Sequence, residues 1–232
     1  MADGSRPLSL GHRGARAVRS IPENTLASFD RALADGCDGF EFDVRLTADG
    51  VPVVCHDPRS RGAEIARLTA AQVPRLPRLE DVLSQYQNRA FLDVELKVAG
   101  LEQITLELLR KYPPQRGFVV SSFVPKILVA VRENDEQMPL GLICETREEL
   151  RRWKELPVEY VIPHHKLATE PLVGELKEGG KKIVVWTVNQ RRQIERFCKL
   201  AIDGIISDDP GLLCRTMEPF VQRRTHSSPP RT

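Results

Sequence analysis

No stretch of the 232-residue chain is apolar for long enough to span a bilayer, which excludes a helical membrane anchor within it. The first residues, Met1 to Pro7, lack the apolar core of a secretory leader. Neither sign of charge dominates: 34 lysines and arginines against 32 aspartates and glutamates leave a formal net charge of +2. That balance argues against a nucleic-acid or membrane-surface partner. Cysteine is sparse as well. Cys37, Cys55, Cys144, Cys198 and Cys214 are odd in number, widely separated and never at metal-ligand spacing, so they read as thiols in a reducing compartment. What remains is a cytoplasmic protein acting on a small molecule, long enough for one substantial core.

Short β-rich apolar runs alternate with amphipathic stretches along the chain. The runs are 8–11, 39–44, 90–96, 117–121, 139–144, 160–163, 182–188 and 204–207. Helical spacing falls between them at 25–34, 79–86, 101–111, 125–134, 147–155, 170–178 and 190–200. This alternation predicts a single-domain α/β protein, a (β/α)8 TIM barrel over residues 1–218. After the second run, Thr47-Ala48-Asp49-Gly50 carries turn chemistry and Val51 to Cys55 reads as an extra strand, a small hairpin inserted in the barrel. Residues 57–78 hold three prolines and no convincing helix, which predicts an irregular cover over the barrel mouth. Residues 219–232 are expected to form a flexible tail.

Chemistry gathers where these strands end. Glu41 and Asp43 are two positions apart, so on a strand they share a face and can hold one divalent cation between them. His12 ends the first strand and His56 the inserted one. Glu95 adds a third oxygen donor and Lys97 a positive charge at the end of the third barrel strand. Trp186 ends the seventh strand and Asp208 follows the eighth. All face the rim where such barrels carry out catalysis. Each residue alone has a duller reading: His56 as a turn histidine, Trp186 as packing, Asp208 as a helix cap, and Pro22-Glu23-Asn24-Thr25 as a helix entry. Phe40, Phe42 and Val44 nevertheless imply a core strand, and buried carboxylates need partners, so Glu41, Asp43 and Glu95 together favour a metal. Glu23 and Asn24 stand close enough in sequence to His12 to support the metal or a phosphate.

Gly11-His12-Arg13-Gly14, Pro22-Glu23-Asn24-Thr25, Glu41-Phe42-Asp43-Val44, Thr47-Ala48-Asp49-Gly50, Val53-Val54-Cys55-His56-Asp57, Glu95-Leu96-Lys97, Trp186-Thr187-Val188-Asn189 and Asp203-Gly204-Ile205-Ile206-Ser207-Asp208 occur in this order. The set resembles the glycerophosphodiester phosphodiesterase family from the first strand to the eighth. The resemblance implies a TIM barrel that hydrolyses glycerophosphodiesters to glycerol 3-phosphate and an alcohol, using one divalent cation, Mg²⁺ or Ca²⁺. It further implies that Glu41, Asp43 and Glu95 are the metal carboxylates and that His12 and His56 are the acid/base pair. Arg13 and Lys97 would then bind phosphate oxygens, and Trp186 would line the substrate pocket. Two departures stand out: a shorter segment after Asp57, and Ser207 where threonine is usual. Both bear on substrate choice rather than on the core chemistry.

A phosphodiester repels nucleophiles and its leaving alkoxide needs a proton, so the chemistry asks for positive charge and for two groups that titrate near neutrality. Attack by the glycerol hydroxyl and attack by water both fit, with either histidine as base. Two alternatives share these residues: a lysophospholipase D-like enzyme, which an apolar rim near Trp186 would favour, and a non-catalytic phosphate-binding protein.

Overall fold

Along Gly39–Leu46 (β2), Phe40, Phe42 and Val44 alternate with Glu41 and Asp43, and all five are buried. A strand with two buried faces belongs to a sheet covered on both sides, and in a barrel one face packs on helices while the other lines the interior. The computed structural model, which describes residues 6–60 and 62–225, has that arrangement. After Leu8–His12 (β1), Leu26–Ala34 (α1) and β2 come the short strands Pro52–Val54 (β3), Arg59–Ser60 (β4) and Ala63–Glu64 (β5). The barrel then continues through Leu79–Tyr86 (α2), Phe91–Leu96 (β6), Glu102–Lys111 (α3), Phe118–Ser122 (β7), Pro125–Asn134 (α4) and Leu140–Cys144 (β8). Arg147–Arg151 (α5), Tyr160–Pro163 (β9), Glu170–Glu178 (α6), Lys182–Val185 (β10), Arg191–Lys199 (α7), Gly204–Ser207 (β11) and Pro210–Thr225 (α8) complete it.

Eight parallel strands, β1, β2 and β6 to β11, pair in sequence order, and β11 returns to β1 to close the barrel. The outward face of β2 packs on α1 and α2: Phe40 stacks on Phe29 with centroids 4.2 Å apart, and Tyr86 meets it edge-on at 5.0 Å. Burying side chains of this size stabilises by roughly 1.5–3 kcal/mol each. Inside the barrel, Leu10, Phe91, Val119, Ile143, Tyr160, Ile162, Val184 and Ile206 form a separate apolar plug. The plug closes the lower interior, so everything inward and above it on the strands faces one cavity.

Helix α1 starts where Thr25 accepts a hydrogen bond from the Ser28 backbone N–H, and α5 starts with a capping box between Thr146 and Glu149. The seventh barrel strand ends at Val185 rather than Val188. Trp186 instead makes an isolated bridge to His164, and its indole N–H donates to the Ile162 carbonyl. The stretch expected as one helix over 147–155 is α5 followed by a 3-10 turn at Arg152–Lys154.

Two expectations are corrected. Residues 57–78 do not cover the mouth: among the described residues, none of them lines the cavity between the strand ends. Ile65 and Val73 pack instead against Val53 on the β2–β3 hairpin, in a small cluster of their own joined by Leu68 and Leu76. The tail does not begin at 219. Helix α8 continues to Thr225 because Met217 is buried and Phe220 is packed against the main core, while residues 226–232 lie outside the described residues.

Candidate active site

The register of β1, β2 and β6 builds the centre of the cavity. His12 pairs with Glu41, Glu41 with Asp93, and Asp43 with Glu95, so four acidic side chains and one imidazole leave neighbouring strands at two levels. Carboxylate oxygens of Glu41, Asp43 and Glu95 all lie within 4.8 Å of one another, and all three residues are buried. Burial and the charges of Asp43, Glu95 and Asp93 push the Glu41 carboxyl well above its usual range. Burial and Asp43 likewise raise Glu95 to about 7 against the pull of Lys97. Asp43 goes the other way: burial opposes its charge, but Lys97, Arg13 and a hydrogen bond from Asn24 outweigh it. Glu41 Oε1 is buried with no hydrogen-bond partner. A compact set of hard oxygen donors with an unsatisfied buried oxygen fits Mg²⁺ or Ca²⁺ better than a thiophilic ion.

The positive groups close over this cluster. Lys97 Nζ is 2.6 Å from Glu95 and 3.1 Å from Asp43, and Arg13 Nε is 3.2 Å from Asp43. Arg13 sits at φ 50, a left-handed conformation reached because Gly14 continues the turn at φ +84. A Cβ on Gly14 would lie 2.4 Å from Ser28 Oγ, so the loop needs glycine there. The turn aims the Arg13 backbone N–H at Glu41 Oε2, 3.0 Å away. Asn24 is buried and donates from Nδ2 to Asp43 at 2.8 Å, fixing that carboxylate. Glu23 is not among the carboxylates; it holds the guanidinium groups of Arg13 at 2.7 Å and Arg16 at 2.8 Å.

The two histidines are held differently. His12 is buried, with Nδ1 2.6 Å from Asp208 Oδ1 and Nε2 3.8 Å from Glu41 Oε2. Asp208 in turn accepts from Asn189 Nδ2 at 2.6 Å and lies 3.3 Å from Arg16. Burial opposes the Asp208 charge, but His12, Asn189 and Arg16 hold its carboxyl down at about 2. An ionised Asp208 keeps the proton on Nδ1 of His12 and leaves Nε2 as the free nitrogen toward the carboxylates. His56 also lines the cavity but is 37% exposed at its side chain, with Nδ1 3.0 Å from Asp57.

The cavity encloses about 420 Å³ and brings together His12, Arg13, Glu41, His56, Glu95, Lys97 and Trp186. In and beside it are groups that the sequence reading passed over. Asp93 is buried, accepts from Ser121 Oγ at 2.5 Å, and is raised to about 7 chiefly by burial. Its two-residue spacing from Glu95 was the available signal. Asn189, which brackets Asp208, has no comparable signature in isolation. On the strands that carry no carboxylate ligand, Phe123, Ile143, Ile162 and Ile206 give the wall an apolar surface.

Inward carboxylates, cations and imidazoles at the carboxyl ends of barrel strands suit hydrolysis of a phosphate ester. The model of the glycerophosphoryl diester phosphodiesterase family matches residues 12–117 and 97–212. The chain belongs to that family. It is 29% identical over 236 residues to the glycerophosphodiester phosphodiesterase of Caldanaerobacter subterraneus subsp. tengcongensis, an alignment covering 90% of this chain and 96% of that protein. Its structure resembles an Oleispira antarctica phosphodiesterase solved in complex with the product sn-glycerol-3-phosphate, with TM-score 0.79, 26% identity, and coverage of 92% and 97% of the two chains. The Thermotoga maritima glycerophosphodiester phosphodiesterase shares the fold, with TM-score 0.79 at 24% identity over 91% and 98% of the chains. As a member of this family the chain is an enzyme, a phosphoric diester hydrolase. No helix among its described residues is long and apolar enough to cross a membrane.

Proposed function

We propose that this family member is a metal-dependent, cytoplasmic phosphodiesterase that cleaves glycerophosphodiesters to glycerol 3-phosphate and an alcohol. The observation that carries the proposal is the convergence of Glu41, Asp43 and Glu95 within 4.8 Å, beside His12, Arg13 and Lys97 in one cavity. The odd number and wide separation of the cysteines support a reducing compartment.

A divalent ion held by the three carboxylates would supply charge stabilisation at the phosphoryl group. Arg13 and Lys97 would turn from the carboxylates to the phosphate oxygens, where negative charge grows in the transition state. His12 is the proposed base: its Nδ1 is committed to Asp208, so Nε2 is free to take the proton of the attacking hydroxyl, whether from glycerol or water. His56, which also lines the cavity and lies nearer solvent, would protonate the departing alkoxide. Trp186 would shape the pocket beside the reacting diester.

The test is release of glycerol 3-phosphate from several glycerophosphodiesters, with chelator present and then with Mg²⁺ or Ca²⁺ restored. Release that stops with chelator and returns with metal is expected; release indifferent to chelator would refute metal dependence. The apolar wall near Trp186 favours a second reading, a lysophospholipase D-like activity, so lysophospholipids form the other arm of the assay.

A further inference from the structure

The wall opposite the carboxylates is apolar with one exception. Strand β8 stands fifth in barrel order and β9 sixth, across from β1 and β2, so residues leaving β8 and β9 face His12 and Glu41 over the cavity, flanked by those leaving β7 and β10. On β8 the inward position is Ile143, and two residues on, just past the strand end, Glu145 lines the cavity on the same face. Its carboxylate makes no ion pair among the described residues, and it is the acidic group lining the cavity away from β2 and β6.

Two rings stand on the same wall. Phe123 and Trp186 meet edge to face, centroids 5.5 Å apart and planes at 84°, and both rings line the cavity. Trp186 has already given its N–H to the Ile162 carbonyl at 2.9 Å, so its remaining offer is ring surface. Lys97 Nζ lies 5.6 Å from the Phe123 centroid, a cation over this ring within the site itself.

Building on the phosphodiesterase reading above, we propose that the Phe123–Trp186 corner and Glu145 bind the alcohol half of the substrate and select a cationic head, a methylated ammonium alcohol, over neutral polyols. A polyol placed against Ile143 and Ile162 would lose hydrogen bonds to water without replacing them. A quaternary ammonium has no such bonds to lose, and its charge is met by ring faces and one carboxylate. The glycerol half is then left to the polar side, among the carboxylates and histidines.

The experiment compares kcat/KM for glycerophosphocholine and glycerophosphoglycerol in the metal-loaded wild type, Glu145→Gln and Glu145→Lys. The choline ester should be preferred roughly tenfold, the scale of a cation–π contact assisted by a carboxylate. That ratio should fall to near one in Glu145→Gln and below one in Glu145→Lys. In parallel, choline and glycerol are titrated calorimetrically into the same three proteins, with saturable choline binding expected only where Glu145 is present. Cleavage of both esters with equal efficiency, or a ratio unchanged by Glu145→Gln, would overturn the head-group assignment and leave the phosphodiesterase reading standing. Failure to cleave either ester would overturn that reading instead, and the choline titration would then decide the head-group assignment independently of turnover.

Discussion

Asp208 Oδ1 sits 2.6 Å from His12 Nδ1, joining a group that follows the last barrel strand to one that ends the first. The contact closes the barrel chemically as well as topologically, because β11 pairs with β1 directly beneath it. It also fixes which nitrogen of His12 faces the carboxylates.

Asp208→Asn therefore leaves the hydrogen-bonding shape but removes the charge that selects the tautomer. We expect kcat to fall by about 10²-fold with KM changed far less, and the acidic limb of the kcat profile to move. A purely structural role would lower the melting temperature and leave the pH profile of the remaining activity in place.

His12→Ala and His56→Ala should each lose turnover by about 10²–10⁴-fold with KM largely kept. The two should separate on a substrate with a nitrophenol leaving group, which needs no proton to depart. His56→Ala should recover most of its loss there and His12→Ala should not. Equal recovery in both variants would reverse or remove the proposed assignment of base and acid.

The raised carboxyls predict an inverted pH dependence of stability in metal-free protein. Asp93 and Glu95 titrate near 7 in the folded chain, against about 4 when unfolded, so below pH 7 the native state binds more protons than the unfolded state. Stability in chelator should rise as pH falls from 8 to 6.5, by up to roughly 1 kcal/mol per pH unit for each group. His164 and His165, held low mainly by burial, work in the opposite sense as the pH nears the ordinary histidine range, which lessens the rise toward pH 6.5 without reversing it. Saturating Mg²⁺ or Ca²⁺ should flatten or reverse the trend, because a bound cation favours ionised ligands. Urea melts at several pH values check this, and an apo stability that falls from pH 8 to 6.5 would contradict it.

The 57–78 segment is expected to matter for stability rather than for substrate size. Ile65→Ala removes a nearly inaccessible side chain from its small cluster and should cost about 2 kcal/mol in denaturant melts. Relative rates on small and acylated diesters should be unchanged, since no described residue of the segment lines the cavity. A shifted substrate ranking would restore the covering role.

Local pattern carried most of the fold. Alternation of Phe40, Phe42 and Val44 with Glu41 and Asp43 identified a strand with two buried faces, and the same period placed Glu95 and Lys97. It stopped short at Asp93, although the period that found Glu95 includes it; a charge set lower in a barrel looks like any strand carboxylate until the partner register is known. The segment after His56 was legible as irregular but not in its direction, because Ile65 and Val73 are too far apart in sequence to reveal a shared cluster with Val53. Glu23 was near the right place for a subtler reason: it acts through Arg13 and Arg16, contacts set by the left-handed turn at Arg13. Asn24 has a similar origin, since its φ of 57 turns its amide toward Asp43.

Occupancy of Glu41, Asp43 and Glu95 by one divalent cation is measured by calorimetric titration of metal-stripped protein with Mg²⁺ and Ca²⁺. Binding of one ion per chain is predicted, weakened at least about tenfold in each of Glu41→Gln, Asp43→Asn and Glu95→Gln, the usual scale for losing a ligand charge. Absence of saturable binding in wild type, or binding of equal strength in the three variants, would rule out a metal site on these carboxylates.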